Sequence, residues 1–160
     1  MANACTLKDQ LDRMFRRSMD DKAFEDERQR KLSGQIELFR RAARDVYDRG
    51  AAASFEDKVE MALMMRLLDT AHEVLSFVED YQSNPLLREV RARDRFGDEG
   101  ASIFEDLTRS GRRAGMLKHV IRETHEKLRF VRADRYSTFS HEAYFTPEEQ
   151  ERISEEGLLD

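Results

Sequence analysis

A stripe of apolar residues between Ser54 and Tyr81 predicts one long, mostly buried helix. Its members recur every three or four positions, as on the buried face of a helix: Phe55, Val59, Leu63, Leu67, Ala71, Val74 and Val78. Ser54 and Asp57 have the spacing of a helix cap, and Pro85 cannot continue a helix. Three more residues widen the stripe on one side: Met64, Leu68 and Leu75. We therefore expect other helices to pack on more than one flank.

Two further stripes predict two more long helices. The first precedes Gly50, which stands where a glycine would end a helix, and consists of Leu32, Ile36, Phe39, Ala43 and Val46. The second lies in the carboxyl-terminal half and consists of Met116, Leu117, Val120, Ile121, Thr124, Leu128 and Val131. Because the connection from Gly50 to Ala53 is short, we expect the helices on either side of it to lie antiparallel.

Shorter helices are indicated by capping signals. Each is a serine or threonine with an acidic residue three positions later: Thr6 with Asp9, Ser102 with Glu105, and Thr146 with Glu149. Pro147 strengthens the third signal, and Gly157 is placed to end that helix. Gly97 and Gly100 should break the chain before the second signal. The charged run from Asp20 to Lys31 is typical of a solvated surface.

The fold class predicted is all-α, an antiparallel helical bundle of three long helices plus shorter N-terminal, middle and C-terminal helices. We expect a single domain over residues 1–160, with 1–5 frayed and 136–160 a peripheral aromatic segment plus a short helix. The composition agrees with this fold, since 160 residues include only two prolines and seven glycines while 38% of residues are charged.

Charge and cysteine content narrow the class of protein. The 28 basic and 33 acidic residues are interleaved and sum to −5, which argues against a generic basic nucleic-acid-binding protein. Cys5 cannot form an internal disulfide, so a reducing compartment is the simplest interpretation. With no secretory signal or membrane span in the sequence, we expect a cytoplasmic protein, of a bacterium or an infected host cell, without membrane contact.

The sequence offers weak candidates for catalysis or metal binding. Asp69 and His72 share a helix face, but a di-metal bundle needs a second acid-x-x-His, and neither Glu123 with His125 nor His119 supplies it. We therefore predict no enzyme, no cofactor and no metal. A metal-dependent all-α hydrolase is the weaker alternative, with acidic residues as candidate magnesium ligands: Glu56, Glu60, Glu73, Glu79 and Asp80.

A nucleic-acid-binding surface is a stronger alternative. Arginine is frequent between Arg88 and Arg135, and cations alternate with aromatics near its end, as on proteins that follow single-stranded RNA or DNA. The segment Ser110–Gly115 precedes a helix and could bind an anion. The candidate residues are Arg109, Arg112, Arg113, Lys118, Arg129, Arg132, Arg135 and Tyr136. Interleaved acids neutralise much of this surface.

Self-association is the prediction that the apolar content favours. The central stripe is rich in methionine, which adapts to imperfect partners, and it offers more apolar surface than a small bundle readily hides. Candidate interface residues are Met61, Met64, Met65, Leu68, Leu158 and Leu159. We therefore predict a non-enzymatic interaction, scaffold or regulatory protein that forms a homo-oligomer, a dimer or higher, and contacts a protein partner.

Overall fold

The computed structural model describes residues 9–16, 25–84, 86–87, 91–109, 111–132 and 145–158, and the regular elements in these ranges are helical. The all-α prediction is therefore confirmed. In chain order the helices are α1 (residues 9–16), α2 (Glu25–Arg49), a 3₁₀ turn (Gly50–Ala52), α3 (Phe55–Ser83), α4 (Ala92–Thr108), α5 (Arg112–Lys127), α6 (Arg129–Arg132) and α7 (Pro147–Glu156). The directions of the helices relative to one another stay a prediction.

Helix α3 is the central element, as its apolar stripe predicts. The Ser54 hydroxyl accepts a hydrogen bond from the Asp57 backbone N–H at 3.2 Å, so the predicted cap is confirmed. Near its start, Phe55 meets Phe145 edge to face with ring centroids 6.4 Å apart. Near its end, Phe77 packs against aromatic rings of α4. The helix therefore contacts the C-terminal segment at one end and α4 at the other.

Helix α2 begins earlier than its apolar stripe, at Glu25, inside the charged run. Its buried face carries Leu32, Ile36, Phe39, Ala43 and Val46, each at most 2% exposed. Gly50 ends the helix with a φ of 55°, a conformation that glycine adopts without strain. Helix α2 packs against α5, and the Phe130 ring of α6 lies 5.4 Å from that of Tyr47.

The middle of the chain differs from the prediction. Ser102 does not cap a helix, because α4 already runs from Ala92 to Thr108 and contains it. The break lies at Gly97, whose φ of 78° interrupts the helical backbone. Gly100 is buried, and it packs closely against Phe96 of the same helix and Thr70 of α3. It therefore allows close packing and does not end a helix.

Gly100 and Gly115 allow a paired test of this packing. A methyl group at Gly100 would overlap Phe96, whereas one at Gly115 would have no atom of the described residues within 4 Å. We expect Gly100→Ala to lower the free energy of unfolding by about 2 kcal/mol through overpacking. Gly115→Ala should raise it by about 0.5–1 kcal/mol through helix propensity. Urea denaturation measures both, and equal effects of the two variants would contradict the packing described for Gly100.

The carboxyl-terminal half holds one further correction. The third stripe predicts a single helix through Val131, but α5 ends at Lys127 and α6 begins at Arg129. The start of α7 is as predicted, with a reciprocal capping box between Thr146 and Glu149, and Gly157 ends it in the left-handed conformation. Several predictions lie outside the described residues: the Thr6 cap, the frayed 1–5 segment, residues 136–144 of the aromatic segment, and Leu159.

Candidate interaction surface

The methionines predicted at an oligomer interface lie inside the chain. Met61, Met64, Met65 and Leu68 of α3 are fully buried, and Leu158 is half-buried against the core. Side chains without exposed area cannot reach a partner unless helices separate. An interface through these residues stays a prediction. In the folded chain a partner can contact only side chains that are exposed.

The described basic residues that were predicted to bind nucleic acid lie at different points along α5 and its flanks. Arg112 and Arg113 are exposed at the start of α5 but lie about 100° apart around the helix axis. Lys118 is half-buried further along α5. Arg129 lies beyond the far end of α5, which is roughly 24 Å long at 1.5 Å per residue. Among the described residues, these cations therefore include some at each end of α5.

Several of these arginines also have acidic neighbours. Arg109 donates a hydrogen bond to Glu105 at 2.9 Å, and Arg129 lies 3.5 Å from a carboxylate oxygen of Glu126. Such pairs leave little net charge for phosphate contacts. The Arg132 side chain, Arg135 and Tyr136 lie outside what the structure describes. Nucleic-acid binding by this set stays a prediction.

Two histidines that the sequence offered as weak metal ligands lie in contact. The rings of His72 in α3 and His125 in α5 stack with centroids 3.7 Å apart and an angle of 12° between their planes. Burial lowers the pKa of His125 below its ordinary 6.5, and the neighbouring His72 lowers it further. Within the described ranges no three His, Cys, Asp or Glu side chains are grouped to hold a metal ion.

The stacked histidines predict a pH dependence of stability. Because the pKa of His125 is lowered in the folded chain, the unfolded chain binds more protons as the pH falls below 6.5. The free energy of unfolding should therefore decrease between about pH 7.5 and 5.5, and the slope should be smaller in His125→Gln. Urea denaturation across this range measures it. Identical slopes in both proteins would contradict the prediction.

A buried ion pair attaches α7 to α3. Lys58 is 1% exposed, and its ammonium group lies 2.8 Å from a carboxylate oxygen of Glu149, which is 18% exposed. Burial alone would raise the pKa of Glu149, but hydrogen bonds from Lys58 and from the Thr146 backbone hold it below the ordinary value of 4.5. This pair therefore contributes stability above about pH 4.5 that is lost as the pH falls further.

An exposed leucine marks the surface that the sequence analysis missed. Leu38 of α2 is 62% exposed, although its neighbour Phe39 is fully buried. A cavity of about 230 Å³ lies beside it between α1 and α2, lined by Gln10, Arg13, Met14, Gln35 and Leu38. Past Leu38 the exposed surface of α2 is nearly flat around Gly34 and Arg41. Leu38 thus stands at the edge of one concave region.

The outward face of α2 has a regular spacing. Its members are separated alternately by four and three residues, which keeps them on one side of a helix. They are Glu27, Lys31, Gly34, Leu38, Arg41 and Asp45, all exposed. We call this set the outer α2 face. This spacing is present in the sequence, but a mostly polar set of residues does not stand out beside the apolar stripe that predicts the buried side of α2.

Four of the six residues of the outer α2 face are charged. Lys31 lies 3.5 Å from Glu27, and Asp45 lies 3.3 Å from Arg49. Arg41, one helical turn after Leu38, lies 3.6 Å from Glu37. On the other side of Leu38, no described atom lies within 4 Å of the position that a side chain at Gly34 would occupy. Leu38 is thus an exposed apolar residue among charges, as on the contact face of a helix that pairs with another.

Comparison with protein-family models, with curated proteins and with solved structures gave no match. In the described part of the chain, no helix combines the length and the apolar character needed to cross a membrane.

Proposed function

We propose that the protein is a non-enzymatic helical interaction protein that self-associates through the outer α2 face. The observation that carries this proposal is the exposure of Leu38 beside the cavity between α1 and α2. Large apolar side chains beside open concave surface gain stability when a partner covers them. The outer face replaces the buried methionines as the surface for association.

The arrangement of the helices supports this choice of surface. The face of α2 opposite to Leu38 packs into the core, and the outer α2 face is exposed in the part of the chain that the structure describes. Leu38 needs no movement of the backbone to become buried. A preformed helical surface loses little conformational entropy on association, which favours binding.

Sedimentation equilibrium of the full chain over a wide concentration range tests the proposed function. The expected result is a reversible shift from about 18.8 kDa toward an integral multiple of that mass as concentration rises. A constant monomer mass up to millimolar concentration would overturn self-association. Because the outer face carries both charges and an apolar centre, moderate changes of salt should alter the midpoint without abolishing the shift.

A further inference from the structure

We infer that the partner of the outer α2 face is a second copy of this chain, with the two α2 helices antiparallel and Leu38 on the two-fold axis. This inference rests on the proposed function and specifies its geometry. It starts from a property of antiparallel helices that are related by a two-fold axis. A residue that follows Leu38 by a given number of positions in one copy therefore lies opposite the residue that precedes Leu38 by the same number in the other copy.

With Leu38 on the axis, the charged ends of the two faces are complementary. Lys31 lies at the height of Asp45 of the second copy, and Glu27 lies at the height of its Arg49. Each end therefore brings Lys31 of one copy against Asp45 of the other, while Arg49 also lies 3.2 Å from Asp57 of its own chain. The symmetry repeats this arrangement at both ends of the contact.

The centre of the face fits the same register. The two Leu38 side chains meet on the axis, and Gly34 lies at the height of Ala42 of the second copy. Arg41 lies at the height of Gln35, so two polar side chains stand beside each leucine. The leucines lose contact with water when the two faces meet.

Other arrangements of the same face are less favourable. Parallel helices in register would place Lys31 against Lys31 and Asp45 against Asp45, which are like charges. An antiparallel register shifted by seven residues would place Leu38 opposite Lys31 or opposite Asp45, depending on the direction of the shift. Of these arrangements, only the one centred on Leu38 pairs opposite charges and also pairs leucine with leucine.

A charge exchange tests the register. Lys31→Glu alone puts two carboxylates together at each end of the dimer, and Asp45→Lys alone puts two ammonium groups together. We expect each single variant to self-associate about tenfold more weakly than the wild type, as measured by sedimentation equilibrium. An equal mixture of the two variants should form a heterodimer of about wild-type affinity, because both of its ends then carry opposite charges.

The mixture also serves as its own control. Any effect of the substitutions on the Glu27–Lys31 or Asp45–Arg49 pairs within one chain is the same in the separate and mixed samples. If the wild type dimerises but the mixture associates no more tightly than the single variants, the register is wrong while self-association stands. If the wild type stays monomeric, the proposed function fails and this inference fails with it.

Discussion

Leu38→Asp is expected to make the protein monomeric at concentrations where the wild type is associated. Each dimer contains two copies of Leu38 on its axis, and each buried leucine contributes about 1.5–3 kcal/mol. The substitution removes both contributions and brings two carboxylates together. The dissociation constant measured by sedimentation equilibrium should therefore rise at least about 100-fold.

Leu86→Asp is the matched control for this variant. Leu86 is 82% exposed in the short segment between α3 and α4, and it does not belong to the outer α2 face. It provides the same chemical change on another part of the surface, and we expect wild-type association. Both variants should keep the helical circular dichroism spectrum of the wild type, since both positions face solvent. Equal weakening by the two substitutions would show that the effect is not specific to α2.

Glu149→Ala is expected to lower the free energy of unfolding by about 3 kcal/mol, because it takes away the carboxylate that faces a buried ammonium group. Lys58 is almost fully enclosed, and its cation also lies 6.0 Å from the ring of Phe145. The same substitution removes the acceptor of the Thr146 backbone N–H in the α7 cap. Urea denaturation measures the loss.

Two further variants separate the charge effect from the cap. Lys58→Met removes the buried charge itself and fills similar volume, so it should destabilise the protein by only about 1 kcal/mol. Glu148→Ala removes an exposed acid from the same helical turn and should change the free energy of unfolding by less than about 0.5 kcal/mol. A loss in Lys58→Met equal to that in Glu149→Ala would contradict this assignment.

The helices could be predicted from the sequence wherever apolar spacing and a local cap agreed. Ser54 and Thr146 both cap helices as expected, because each hydroxyl accepts a hydrogen bond from the backbone N–H of the acidic residue three positions later. Ser102 has the same local signal and fails. In that part of the chain the helical backbone is interrupted at Gly97, and Gly100 packs against α3. The helix therefore already includes Ser102 and does not begin at it.

The interaction surface was harder to predict than the fold. The methionines of α3 look suitable for a partner because sequence spacing cannot tell which flanks of a helix its own chain will cover. Met61, Met64 and Met65 are fully buried on a helix that packs against α2, α4 and α5. The exposure of Leu38 could not be predicted, because it depends on which side of α2 packs against the core.

The central claim, that copies of this chain associate through the outer α2 face, is tested most directly by nuclear magnetic resonance of the labelled wild type on dilution. The claim predicts that concentration-dependent shift changes centre on the Leu38 methyl groups and the Gly34 amide. The methyl groups of Leu86 should stay unchanged. Shift changes that centre on α5 or on Leu86, with none at Leu38, would contradict it.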